Sequence, residues 1–335
     1  MKVLFIGGTG TISTAITQLC AEKGIDLTLL NRGNRQSDVP KGIKTITCDI
    51  SDENAAAKLL EGSYYDVVAD FIAFTSDQIE RDIRLFSGKT SQYIFISSAS
   101  AYQKPLSNWK INESTPMHNP YWGYSQNKIA CEERLMEEYR KNGFPVTIIR
   151  PSHTYSDNAV PMGIHGSKGS WQVLQRMLDG KPVIVHGDGL SLWAFMHNTD
   201  FAPAFLGIMD NPHALGEAIQ ITADESITWN LAHEIIAKKL GVKPKLAHIS
   251  SHALEAEDPR MKGSLIGDKA NSLIFDNSKL KSLVPGFVPK LRFDEGMERV
   301  IANVLAHPEL QQLDPEYDAW SDKMIEKYCP QIFIP

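Results

Sequence analysis

The N-terminal stretch confines the chain more tightly than any other. An apolar, β-branched run, Val3-Leu4-Phe5-Ile6, meets Gly7-Gly8-Thr9-Gly10-Thr11-Ile12-Ser13, after which Ile12, Ile16, Leu19 and Cys20 recur at helical spacing. That order predicts a strand, a glycine turn and an amphipathic helix. Backbone N–H groups at the start of such a helix, with the positive end of its dipole, attract a pyrophosphate, and glycines without side chains let it come close. A glycine turn by itself is only a tight turn. The strand before it and the helix after it make Gly7, Gly8, Thr9, Gly10, Thr11 and Ile12 a candidate dinucleotide cradle. Ser13 stands where a third glycine often lets helix and sheet pack closely, and it is small enough to serve.

The same alternation continues to about residue 160. Strands are expected at Val3-Ile6, Leu27-Leu30, Lys44-Thr47, Val67-Ile72, Tyr93-Ser97 and Val146-Ile149, with helices between them, the pattern of repeated βαβ units on a parallel sheet. Beyond Pro151 the alternation is lost and glycine and proline recur, from Pro161 and Gly163 to Gly187 and Gly189, so a second lobe is expected over 161–335. In it Trp171, Leu174 and Leu178 are spaced for one buried helix face, and Leu231, Ile235, Ile236 and Leu240 for another that ends at Gly241. The chain past about residue 308 reads as a helical tail packed on the surface.

The second strand ends Leu30-Asn31-Arg32-Gly33. NAD sites place a carboxylate at this point for the ribose hydroxyls. Asn31 and Arg32 in its stead suit a 2'-phosphate, which favours NADP over NAD, unless Arg32 is simply a solvated loop residue. Asp49, with Ile50 beside it after the third strand, is placed to accept from an adenine amino group or to cap the helix beginning near Asp52. The 335 residues include 34 basic and 40 acidic side chains, and the net charge of -6 gives no reason to expect nucleic acid as a partner. The opening apolar run is too short for a signal peptide, and no stretch is long enough to span a bilayer. Cys20, Cys48, Cys131 and Cys329 are scattered, so no metal site or disulfide framework is expected, and a cytosolic location is.

The fifth strand runs into Ser97-Ser98-Ala99-Ser100, and Tyr124-Ser125-Gln126-Asn127-Lys128 follows. On a helix Tyr124 and Lys128 share one face, where the ammonium is expected to favour the phenolate and lower the tyrosine pKa. Tyr124 could then pass a proton to or from a substrate oxygen, and Ser98 could hydrogen-bond the same oxygen. Together with the glycine turn, this constellation resembles the extended short-chain dehydrogenase/reductase family, also called the epimerase/dehydratase family. The resemblance continues in Arg150-Pro151, Lys181–Gly189 and Phe195–Ala202. It implies an α/β fold, a Rossmann doubly wound parallel sheet over 1–160 with 195–212 returning to it, and a smaller C-terminal α/β substrate lobe. It further implies an NAD(P) cofactor lined also by Phe71, Ile72, Ala73, Ser97, Arg150 and Pro151, a carbohydrate-type small-molecule substrate in the cleft between the lobes, and a homodimer.

The chain departs from the family's pattern in informative places. Ala99 and Ser100 stand where sugar-nucleotide dehydratases carry acidic side chains, so epimerisation or reduction is favoured over 4,6-dehydration. Trp193 stands near one expected diphosphate-clamping arginine, and Ser264-Leu265-Ile266, before Gly267-Asp268, lack another. A diphosphate buried without cations is poorly stabilised, though Lys168, Arg176, Arg260 or Lys262 could substitute. His153, His165 and Trp193 are the substrate-contact candidates, with His153 also a possible second acid/base. His118, His213, His233 and His248 read as structural or surface residues. The leading expectation is an NAD(P)-dependent epimerase or reductase. The competing one is a binding protein on the same scaffold, since the turn and the lost arginines also resemble chloroplast stem-loop RNA-binding relatives.

Overall fold

A computed structural model describes residues 1–333. Its centre is a seven-stranded sheet in the order β3-β2-β1-β4-β5-β6-β11, with every neighbouring pair parallel. In chain order, β1 (Lys2–Ile6), α1 (Ser13–Glu22), β2 (Asp26–Asn31), β3 (Lys44–Thr47), α2 (Glu53–Leu59), β4 (Tyr65–Asp70), α3 (Ser76–Phe86), β5 (Thr90–Ile96), α4 (Gly123–Asn142) and β6 (Val146–Pro151) build most of it. There follow β7 (His153–Tyr155), α5 (Trp171–Leu178), β8 (Val183–His186), β9 (Leu192–Trp193), β10 (Phe195–His197), α6 (Asn198–Ile208) and β11 (Ala218–Ile221). The remainder is β12 (Ile227–Thr228), α7 (Trp229–Lys239), β13 (Leu246–Ile249), α8 (Ser251–Glu257), α9 (Met261–Ser264), α10 (Ser278–Leu283), α11 (Phe293–Ala306) and α12 (Pro315–Tyr328). Among the described residues no helix is long and apolar enough to cross a membrane.

The six strands expected from sequence form, shifted by a few residues at their ends. The fourth stops at Asp70 rather than Ile72, because the Asp70 carboxylate accepts from the Ile72 and Ala73 N–H groups (2.6 and 2.9 Å) and turns the chain. The sheet is buried on both faces, as parallel sheets are. Val3 and Phe5 join Ile16 and Cys20 of α1 and Phe201, Phe205 and Ile208 of α6 on one side. Leu4 and Ile6 join Ile79 and Ile83 of α3 and Cys131 and Leu135 of α4 on the other. The seventh strand, β11, was not foreseen: a four-residue run after the excursion through the second lobe is too short to show a period.

The second lobe packs around Trp229, which meets His186, Trp193 and Phe195 at ring-centroid distances of 5.0 to 5.3 Å. Two-stranded pairs β7/β10, β8/β13 and β9/β12 and the flanking helices enclose it. Two positions expected in the core are exposed instead: Leu178 ends α5 and Leu231 lies in the first turn of α7, where no neighbour covers that face. Gly241, at φ +75°, closes the turn after α7. The last two residues of the expected second lobe lie outside the described residues. The tail helix α12 is pinned to α5 by Arg176, whose buried guanidinium donates to Asp318 and Asp322 (2.6 and 2.7 Å).

Candidate active site

Strand order reverses between β1 and β4, and a cleft opens there beyond the carboxyl ends of the strands, as expected at such a switch point. Gly7 and Gly8 have φ of +102° and +103°, a region that side chains disfavour. A Cβ at Gly8 would also lie 2.6 Å from Leu29 Cδ2. Gly7 N–H donates to Leu30 O, and Thr17 Oγ1 donates to Gly8 O, fixing the turn to strand and helix. Ser13 does more than fit, since its hydroxyl accepts from Gly10 N–H at 2.9 Å. The turn borders a cavity of about 620 Å³, which leaves room at the helix start for a pyrophosphate and its adenosine; the residues present fit a dinucleotide.

Asn31, Arg32, Asp49 and Ile50 line the same cavity, as do Phe71 and Ile72. Asn31 turns its carboxamide oxygen to its own loop, accepting from Gly33 N–H. Sequence reasoning missed Arg35, whose guanidinium reaches across to donate to Thr9 O at 3.0 Å. It missed Phe74 as well, a ring 44% exposed on the cleft wall next to Ile72, 42% exposed. Asp49 accepts from Ser51 N–H, so Asp52 rather than Asp49 caps α2, accepting from Ala55 N–H.

A second cavity of about 380 Å³ shares Gly10, Ser13, Phe71 and Phe74 with the first and brings in Thr11, Ile12, Ser97, Ser98, Tyr124, Lys128, Pro151 and His153. The helix α4 thus carries Tyr124 and Lys128 to the glycine turn. Lys128 Nζ donates to Ala73 O and Ile96 O, both at 2.7 Å, and sits 4.4 Å from the Phe74 ring centre. Burial lowers its pKa to about 8. The expected depression of Tyr124 is corrected here: burial raises the phenol, the Asp268 carboxylate raises it further, and only the Ser98 hydroxyl works the other way. The lysine's charge is spent on two carbonyls and lies beside the tyrosine ring, 5.9 Å from its centre, not on its oxygen.

Ser100, noted in the sequence only for the missing carboxylate, and Ser125 orient Ser98. Ser125 Oγ donates to Ser100 Oγ at 2.8 Å, and Ser100 lies 2.9 Å from Ser98 Oγ, which also accepts from Ser100 N–H. Either hydroxyl can donate in the Ser98–Ser100 pair, and the arrangement in which Ser100 donates leaves the Ser98 proton for the cleft. Arg150 does not line it: its guanidinium is buried against the Glu132 carboxylate (2.6 Å), two turns along α4 from Tyr124, and Glu132 also accepts from Ser97. The expected Arg150 contact with cofactor is therefore a correction, and the residue braces the floor of the site instead.

A third cavity, about 270 Å³, adjoins Ser98, Tyr124, Pro151 and His153 and is closed by Trp122, Trp193, Asp268 and Lys269. Trp193 donates to His153 Nδ1 at 3.1 Å, and burial lowers the His153 pKa to about 3. It is thus a neutral hydrogen-bonding group and not the titrating acid/base considered from sequence. His165 is exposed, bonded to the Gly166 carbonyl, and lines none of the three cavities.

The model of the NAD dependent epimerase/dehydratase family matches residues 3–87 and 83–222, which takes in the whole seven-stranded sheet. The chain belongs to the NAD dependent epimerase/dehydratase family. Among members and relatives, it is 21% identical over 241 residues to the 2'-dehydrokanamycin reductase of Streptomyces kanamyceticus, covering 72% of this chain and 67% of that one. It is 24% identical over 263 residues to the chloroplast stem-loop binding protein of 41 kDa b of Arabidopsis thaliana, covering 74% and 65%. The chain thus spans about two thirds of the length of these curated relatives. The epimerase Mth375 of Methanothermobacter thermautotrophicus superposes with a TM-score of 0.76 at 16% identity, over 92% of this chain and 93% of that one, which establishes the epimerase/dehydratase fold here.

Proposed function

We propose that the protein is an NADP(H)-dependent reductase or epimerase acting on a hydroxyl or carbonyl group of a carbohydrate, with Tyr124 as the proton-transferring residue. The observation that carries this reading is the continuity of the three cavities, which puts Ser98, Tyr124 and Lys128 between the glycine turn and a separate substrate space. A nicotinamide bound there would supply the hydride donor or acceptor. Tyr124 gives a proton to the substrate oxygen as a carbonyl is reduced, or takes it as a hydroxyl is oxidised. Ser98 donates to that oxygen while its charge changes. Lys128 holds the Ala73 and Ile96 carbonyls and so fixes the angle of the tyrosine. Burial keeps Tyr124 protonated at neutral pH, which favours the donor role and hence reduction.

NADP is preferred over NAD because Arg32 and Arg35 border the adenosine end and no carboxylate follows β2. Similarity to a protein described as a 2'-dehydrokanamycin reductase supports carbonyl reduction. Ala99 and Ser100, both buried, offer no carboxylate next to Ser98, so 4,6-dehydration is not favoured. A cytosolic homodimer remains part of the reading. The stem-loop binding relative supports a second one, an RNA-binding role, against which stand the net charge of -6 and the preserved Ser98, Tyr124 and Lys128.

The test is calorimetry with NAD, NADH, NADP and NADPH, paired with Tyr124→Phe. Binding of NADPH is expected, with turnover lowered by about 100-fold or more in Tyr124→Phe. Absence of binding to all four forms, with salt-dependent retention on RNA, would replace the enzyme reading with the second one.

A further inference from the structure

The third cavity is lined by an adjacent carboxyl and amino group, Asp268 and Lys269, whose side chains feel each other's charge but make no hydrogen bond among the described residues. Asp268 is 8% exposed and shares the cavity wall with Ser98, Tyr124 and Trp193. Among the described residues its carboxylate has no hydrogen-bond or salt-bridge partner. The ammonium of the adjacent Lys269 has none either, although it lies 6.0 Å from the centre of the Trp193 ring. Both are held in place by tight packing. The Leu265–Lys269 segment forms a π-turn, a geometry that recurs at functional sites. Gly267 O accepts from Asn119 Nδ2 at 2.7 Å, and a Cβ at Gly263 would lie 2.1 Å from the Trp122 ring. An apolar space with a few convergent, unpaired polar groups is the form of a ligand site.

Several observations weigh against a nucleotide diphosphate in that space. Its volume of about 270 Å³ is less than half of the about 620 Å³ beside the glycine turn, where the adenosine end of a dinucleotide fits. The open trough nearby, bordered by Pro105, Leu106, Asn108, Trp109, Leu192 and Asn271, has no lysine or arginine in its lining. Of the cations that could have replaced the missing clamps, Arg176 is committed to Asp318 and Asp322, Arg260 to Asp258 and Lys262 to Glu255, which leaves Lys269 as the single lysine or arginine in the lining of this cavity. Lys168 borders a different hollow. A diphosphate would also face the Asp268 carboxylate, a like charge in a low-dielectric wall.

What remains suits a sugar. The Trp122 and Trp193 indoles, with Leu273 and Pro151, can cover its C–H face, a carboxylate accepts two hydroxyl donors, and an ammonium donates to its oxygens. We infer that the cavity takes a free carbohydrate, one bearing no nucleotide diphosphate, and that Asp268 and Lys269 read its hydroxyl groups between the two indoles. This inference rests on the oxidoreductase reading above and narrows its substrate class.

The test presents NADP(H)-loaded protein with two matched panels, free hexoses, hexosamines and their keto forms against the corresponding UDP- and dTDP-linked sugars. Nicotinamide absorbance and heat of binding are followed. Turnover or binding confined to the free panel is expected, weakened by about tenfold or more in Asp268→Asn and in Lys269→Gln, with NADPH affinity retained. Binding of UDP alone, turnover confined to the nucleotide-linked panel, or no response to either panel by cofactor-loaded protein overturns the inference. Free-sugar turnover indifferent to both substitutions overturns the assignment of Asp268 and Lys269. Failure of the wild type to bind any nicotinamide form is a different outcome, which removes the oxidoreductase reading itself.

Discussion

The indole N–H of Trp193 donates to Nδ1 of His153 at 3.1 Å. An indole nitrogen can only donate, so Nδ1 carries no proton and the ring presents Nε2–H as a donor. With the pKa held down to about 3 by burial, His153 stays neutral wherever the enzyme works. Activity between about pH 5 and pH 9 is therefore expected to show no ionisation of His153. Trp193→Phe, which leaves Nδ1 unpaired, should lower kcat/KM by about tenfold. An inflection near pH 6.5 that disappears in His153→Asn would contradict this account.

Arg32 and Arg35 border the same cavity but have different duties. Arg32→Ala is expected to raise the Kd for NADPH about tenfold while leaving NADH nearly unchanged, because on the proposed NADP reading the lost partner is the 2'-phosphate. Arg35→Ala should weaken both forms, since its guanidinium also ties down Thr9 O. Titration calorimetry separates the two patterns. Equal losses for NADPH and NADH in Arg32→Ala would leave Arg32 a loop residue.

Glu132 and Arg150 form a buried ion pair beneath the floor of the candidate site. Glu132→Gln strands the guanidinium without a countercharge and also weakens the hold on Ser97. A loss of about 3–5 kcal/mol in urea unfolding is expected. A loss under about 1 kcal/mol would mean the pair is dispensable.

Acid should destabilise the second lobe through His186, which is buried and has its pKa lowered to about 4. Below about pH 6.5 the unfolded imidazole takes up a proton that the folded one refuses until about pH 4. The unfolded state holds the extra proton across that window, so the contribution of His186 is complete above pH 6.5 and is lost as pH falls towards 4. The expected slope is about 1.4 kcal/mol per pH unit for this residue. Urea melts of the wild type and His186→Gln across the window should differ by that slope, and parallel curves would refute it.

The glycine turn, the first six strands and the pairing of Tyr124 with Lys128 were legible because each is a local pattern, read within a few residues of itself. Arg150 was misplaced for want of one more use of the same logic. Side chains alternate along a strand, so with Pro151 facing the cavity, Arg150 belongs on the other side. Leu178 and Leu231 fit a helical stripe but sit at helix ends, where the stripe runs out of neighbours. The rise in the Tyr124 pKa had no local signature, because the burial that causes it and the Asp268 carboxylate that adds to it come from distant parts of the chain, while Lys128 is held by carbonyls just past β4 and at the end of β5. Asp268 and Lys269 reach the cavity through contacts distant in the chain, of Gly263 and Gly267 with the Asn119–Trp122 segment and of Lys269 O with Ser191 and His186. The sequence signal was present in Gly267-Asp268, noted for the arginine missing before it rather than for the carboxylate itself.

The return of the chain as α6 and β11 has a practical corollary. Phe5 of β1 and Phe71 just past β4 pack against Phe205 of α6 at ring-centroid distances of 6.2 and 5.7 Å, and Asn198 at the head of that helix donates to Thr11 O in the glycine turn. A fragment cut near residue 160 would keep the glycine turn yet lay bare this aromatic seam and the open edge of β6. Such a half-protein would aggregate before it bound anything, so the cofactor site can be borrowed for engineering only together with the stretch through Ile221.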